Sequence, residues 1–182
     1  STWTWMMTVT KLASLGELMQ ILQRESMLWR LRINTDEDLW SLARLARTGM
    51  SLAMLGERRD QTTGGEEGGR AKSAERKKMW IKLRIENTEY QSFSDVLRVH
   101  GIIEEAKFDT GSYHTHNITP GDEIELSCRT AFLDTDNQLL QQAVDAAKQV
   151  KIALAVVEND EIILFHITPR GLKESTTWTC LL

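Results

Sequence analysis

Cysteine is scarce in this chain of 182 residues: Cys128 and Cys180 stand far apart, with neither the close spacing of a metal knuckle nor the density of a disulfide framework. A reducing, cytoplasmic setting is the simplest expectation. No apolar run is long enough to cross a bilayer as a helix, so no membrane partner is expected. The first eighteen residues lack the basic and continuous apolar stretches of a signal peptide. No GxxxxGK loop occurs, so the chain is not expected to hydrolyse GTP itself. An excess of positive charge is missing as well. The net charge of −4 excludes a polycation, and any contact with nucleic acid must come from a local patch.

What is present suffices for a folded core, with 41% hydrophobic residues. Trp29-Arg-Leu-Arg-Ile33 alternates apolar and basic residues and predicts a strand with one wet face. Thr35-Asp-Glu-Asp38 is a capping box, with Thr35 as N-cap and Asp38 at N3. The helix it opens presents Leu39, Leu42, Ala43 and Ala46 and is expected to stop at Gly49. Met50 to Leu55 predicts a short strand, followed by strands around Ile81–Ile85, Val96–Ile103 and Ile124–Leu126. Turns fall at Ser92–Asp95, Asp109-Thr-Gly111 and Thr119-Pro-Gly121. About five short strands after one helix predict a small barrel.

Composition then shifts. Thr135-Asp-Asn-Gln138 reads as a second capping box, with Leu139, Leu140, Ala143, Val144 and Ala147 inward. Lys151 to Val157 is nearly all apolar, as in a strand buried on both faces, and Ile162 to Ile167 follows as another. Residues 133–182 therefore predict the incomplete start of an α/β domain, because a two-stranded ribbon does not stand alone.

Between the third strand and Ile81 lies a glycine-broken, charge-dense segment, Gly56 to Lys78. From Glu57 to Lys78 it holds seven basic residues (Arg58, Arg59, Arg70, Lys72, Arg76, Lys77, Lys78) against five acidic ones. From Arg70 to Lys78 the balance is five to one. Such cations hold phosphates through charge-assisted contacts, and the glycines leave the backbone free to follow an irregular RNA.

Gly-Glu-Arg-Arg at 56–59, Ile85-Glu86, Phe93, Leu97-Arg-Val-His-Gly101, Glu104 and Gly111-Ser-Tyr-His-Thr115 occur in the order found in the N-terminal domain of archaeal Pelota proteins. The chain resembles that family over roughly residues 19–172, most closely from Ile81 to Ile118. The resemblance implies an Sm-like RNA-binding domain over 19–130, followed by the opening of the central α/β domain. Residues 1–18 do not share it and are expected to be an N-terminal extension, and the tail 175–182 does not share it either. It further implies an mRNA-surveillance and ribosome-rescue factor acting in no-go decay, whose loop enters the decoding site of a stalled ribosome. Its partners would be that ribosome, with its mRNA and rRNA. The longer protein would add an elongation-factor-like translational GTPase. The seven basic residues are the expected RNA contacts, and a monomer is expected.

Two other chemistries compete. The family has been credited with a divalent-metal-dependent endoribonuclease activity in this domain, which implies a divalent cation as candidate cofactor. Such a nuclease needs converging carboxylates, and Asp36, Glu37, Asp38, Glu86 and Glu104 are the candidates, although no sequence motif joins them. His114 and His116, two apart on a strand, share a face compatible with metal ligation. Family members usually carry a leucine-like residue at position 116, which argues against a core role for His116. His100 and His166 are expected to be packed, and Trp29, Trp40 and Trp80 to be core. Tyr113 could stack on a base but lacks a platform of aromatic neighbours. A ring-forming Sm-like interaction module is the third reading.

Overall fold

Thr35 starts the first helix as its sequence predicts. Its hydroxyl accepts from Asp38 N at 3.2 Å, and Asp38 Oδ2 accepts from Thr35 N at 2.9 Å and Asn34 N at 2.8 Å. Burial raises the pKa of Asp38, and these backbone donors oppose that rise. The helix, α1 (Asp36–Leu45), ends earlier than expected, at an extended Ala46. Gly49 instead occupies the following turn at φ +90°, donating its N–H to Ile85 O.

The computed structural model describes residues 19–59, 76–146, 152–158, 161–168 and 171–179. The first unit spans Gly16–Ala147. Its strands are β1 (Gln20–Arg24), β2 (Leu28–Arg32), β3 (Ser51–Arg59), β4 (Arg76–Gln91), β5 (Val96–Glu105), β6 (Tyr113–Ile118) and β7 (Glu123–Ser127). They form one antiparallel ladder in the order β1-β2-β7-β3-β4-β5-β6. Residues from distant places in that order meet in one core: Trp29 and Leu31 of β2, Leu97 and Val99 of β5, Ile118 of β6, with Leu39 and Leu42 of α1. The sheet therefore curls over its buried face. That mainly β architecture with few helices is the expected class, compatible with a small Sm-like barrel although β1 and β6 remain the ends of the ladder. A second cluster, Met79, Ile81, Leu83 and Ile103, lies where β4 extends beyond the main core.

Helix α2 (Asp134–Asp145) belongs to this unit as well. Leu140 and Ala143 are buried in the main core, and Phe132 stacks on Trp29 with ring centroids 3.6 Å apart. The shift in composition near residue 133 had placed this helix in the second domain, and its packing against the first corrects that. Its start also differs: the N-cap is Leu133 rather than Thr135, and Asp136 at N3 accepts from Leu133 N at 3.0 Å. Asp136 can do this while buried because Arg47, beyond α1, holds its carboxylate (Nη2–Oδ2 3.0 Å) and depresses its pKa.

The second unit contains Lys148–Leu182. Within it β8 (Ile152–Glu158), β9 (Glu161–Thr168) and β10 (Gly171–Thr179) pair as an antiparallel meander in the order β10-β9-β8. Leu154, Ala155 and Val156 are half-buried and Val157 is exposed, so β8 is not buried on both faces as its apolar run predicts. Residues 175–179, outside the family resemblance, continue β10. The extension expected over 1–18 lies outside the described residues, as does Cys180. Among the described residues no helix is long and apolar enough to cross a membrane.

Candidate nucleic-acid interface

The segment expected to be a loop from Gly56 to Lys78 has a hairpin stem at both ends. β3 runs to Arg59 and β4 begins at Arg76, with Glu57 opposite Lys78, Arg58 opposite Lys77 and Arg59 opposite Arg76. Basic residues from the two ends thereby become direct cross-strand neighbours. Arg70 and Lys72 lie outside the described residues.

Strand geometry sends alternate side chains to opposite faces. Arg59, Glu57 and Leu55 share the exposed face with Arg76, Lys78 and Trp80. Arg58, Gly56 and Met54 share the other with Lys77, Met79 and Ile81. Arg58 is not a free phosphate ligand. Its Nε donates to Asp109 Oδ2 at 2.5 Å, and its Nη1 to the carbonyl of Tyr113 at 3.1 Å. Nη1 also lies 3.4 Å from His114 Nδ1. Arg58 is thus a brace between the hairpin and the turn that precedes β6. Arg59, Arg76 and Lys78 stay exposed, and among the described residues Lys78 has a 4.0 Å ion pair with Glu57.

Two histidines pack beneath the brace. His116 is 2% exposed and its Nε2 donates to the carbonyl of Ile81 at 2.9 Å. Burial lowers its pKa to about 4, against the raising effect of that hydrogen bond, and nearby His114 lowers it further. His114 meets it edge-on with centroids 4.9 Å apart. The pKa of His114 is lowered by burial first, then by the Arg58 and His100 charges. Gly56 makes room for both rings: a Cβ there would sit 3.1 Å from His116 Cε1 and 3.3 Å from His114 Nε2. His116 is a core residue after all. A neutral imidazole fills a leucine-sized space here because one carbonyl, 35 residues away in sequence, satisfies its N–H.

At the mouth of this arrangement an open cleft of about 350 Å3 is lined by Glu57, Arg58, Arg59, Arg76, Asp109 and His114. Three guanidinium groups beside two carboxylates suit an anionic oxygen better than a cation. The nuclease candidates do not assemble: among the described residues no three His, Cys, Asp or Glu side chains could hold a metal ion together. Asp38 is consumed by its cap, and Glu104 accepts from Ser51 Oγ at 2.6 Å. Among the described residues the candidate carboxylates do not form a divalent-cation site.

Of the tryptophans, Trp29 is core, whereas Trp40 is half-buried under Arg44 (4.7 Å) and Trp80 is 37% exposed. Tyr113 is exposed and stacks at 5.4 Å on His100, whose Nδ1 is 2.8 Å from Thr115 Oγ1.

The family model for the Pelota N-terminal domain matches residues 17–144. The chain belongs to this family. A protein pelota homolog of Methanothrix thermoacetophila is 31% identical over 75% of the chain and 38% of its own length. One from Thermoplasma acidophilum is 31% identical over 82% of the chain and 43% of its own length. The chain thus spans about two fifths of these Pelota relatives. Among solved structures, Thermoplasma acidophilum Pelota superposes with a TM-score of 0.56 at 21% identity, over 87% of this chain and 43% of that one. A ribosome-bound archaeal Pelota described with ABCE1 gives 0.59 at 20% identity, over 88% and 45%. These likenesses establish the Pelota fold.

Sequence reasoning missed Asp109 and Gly56 as supports of the interface. Asp109 lies in the expected Asp109-Thr-Gly111 turn, at φ +64°. Nothing local connects that turn to Arg58.

Proposed function

We propose that this chain is the RNA-facing part of an mRNA-surveillance and ribosome-rescue factor of the cytoplasm. The paired basic stem of β3 and β4 carries the reading: Arg59, Arg76 and Lys78 stand exposed on one face of a hairpin whose other face is braced by Arg58. In this account the stem and residues 60–75 reach into a stalled ribosome and grip mRNA and rRNA through phosphate contacts. Arg70 and Lys72, between the two strands in sequence, are proposed as further RNA contacts. Release of the ribosome and no-go decay belong to the longer protein, through the elongation-factor-like GTPase it engages. The ribosome-bound state described for an archaeal Pelota relative supports the ribosome as partner. The mechanism is binding and positioning rather than bond breaking, and the chain acts as a monomer.

Cosedimentation of the chain with archaeal ribosomes tests this. Binding is expected to ribosomes with a vacant decoding site, and to disappear when a tRNA fills that site. Equal binding to both would contradict the reading.

A further inference from the structure

The exposed face of the β3–β4 hairpin carries an aromatic residue that phosphate contacts leave unused. Trp80 and Leu55 lie directly opposite each other across the ladder, 37% and 62% exposed. On the same face of β4, Lys78 and Lys82 flank the indole on either side. Lys82 is paired with Glu105 at 2.9 Å, whereas Lys78 is 77% exposed and held loosely. The guanidinium of Arg30, in β2, lies 5.7 Å from the ring centroid, a cation–π contact that steadies the indole. Trp80 is thus an exposed ring held in place by its neighbours, at the foot of the proposed RNA contact.

An indole between cations is the arrangement that binds an unpaired nucleic-acid strand: the ring takes a base, and the cations take its phosphates. Same-face residues of a strand are roughly 6.6 Å apart, so the step from Trp80 to Lys78 to Arg76 suits one strand running toward the hairpin tip. We propose that Trp80 is a stacking platform for one base of a single-stranded RNA, with Leu55 as the apolar floor beside it. The charged rim around the ring, with Lys78 exposed toward Arg76 and Glu57 facing it, favours a strand carrying phosphates over an apolar protein partner. This deepens the RNA-contact reading, on which it rests, and adds a discrimination that phosphate contacts lack. A duplex keeps its bases stacked on one another and has none to offer Trp80.

The test uses the full chain and a short fluorescein-labelled oligouridine, read by fluorescence anisotropy at several salt concentrations, beside an RNA duplex of equal length. Trp80→Leu, which keeps an apolar cover on the sheet without a π-face, should weaken oligouridine binding about tenfold. Trp80→Phe should recover most of that loss. Both variants should keep the parent's salt dependence and its affinity for the duplex. Circular dichroism melts establish that each variant is folded, and the Leu and Phe variants serve as checks on one another. Parent-like oligouridine binding by Trp80→Leu, or equal losses on oligouridine and duplex, would overturn the stacking role while leaving the basic stem in place. The first of these outcomes would return the patch to a protein partner. If the parent itself bound neither RNA, the reading beneath the proposal would fall with it.

Discussion

Arg58 and Asp109, 51 residues apart in sequence, tie the outer end of the β3–β4 stem to the turn before β6 with a 2.5 Å hydrogen-bonded ion pair. Their side chains are 20% and 33% exposed, so solvent screens the pair less than an open surface bridge. Arg58→Ala and Asp109→Asn should each lower stability by about 1 kcal/mol, and the double variant by little more than either alone. Asn is the chosen replacement because it tolerates the positive φ of Asp109. Urea denaturation of the four proteins measures the coupling. Strictly additive losses would show that the two side chains do not act as a unit.

Gly56 and Gly101 both resist a side chain, for different reasons. At Gly56 the obstacle is the pair of histidine rings and Ile81 Cδ1 at 3.1 Å, all of them side-chain atoms. At Gly101 a Cβ would fall 2.0 Å from the carbonyl oxygen of Arg84, which is backbone. Gly56→Ala should therefore cost about 1–3 kcal/mol through overpacking, and Gly101→Ala more. Thermal melts decide the ranking; a milder effect at Gly101 would contradict the packing described.

His116 makes stability depend on pH. Its folded pKa, about 4, lies below its ordinary 6.5, so the unfolded chain binds the proton first as pH falls. The stability contribution is whole above 6.5 and declines progressively between 6.5 and about 4, on the order of 3 kcal/mol in total. His116→Leu should flatten that part of the stability curve. An unchanged slope would mean that His116 titrates normally.

Leu140 tests the extent of the first unit. It is fully buried in the main core, so Leu140→Ala should destabilise that unit by about 2–5 kcal/mol. A chain ending at residue 130 should lose more, since Phe132 and the Arg47–Asp136 pair go too. Equal melting of the shortened and full chains would restore the boundary at 130–133.

What was legible in the sequence was what short-range chemistry determines. Thr35 and Asp38 cap α1 through bonds three residues apart, and Trp29, Leu31 and Ile33 alternate because β2 has one dry face. The basic stem was not legible as strand. A ribbon wet on both faces near its tip carries no apolar alternation, so Arg58-Arg59 and Arg76 to Lys78 resemble loop residues. The brace of Arg58 to Asp109, the burial of His116 against Ile81 and the exposure of Trp80 all depend on partners brought together by the sheet. The N-cap of α2 lies two residues before the expected Thr135, at Leu133, which has no capping side chain to signal it in the sequence. Asp136 at N3 accepts from Leu133 N there, and its partner Arg47 is far away in sequence.

The basic stem remains the central claim, and its most direct test is the salt dependence of binding to ribosomes or single-stranded RNA. Replacing Arg59, Arg76 and Lys78 together by Ala should weaken binding and reduce the slope of log K against log salt by about 2, near 0.7 for each phosphate no longer neutralised. Arg58→Ala, which removes a brace, should change stability more than slope. A triple variant with the parent's affinity and slope would show that the hairpin face is not in the interface.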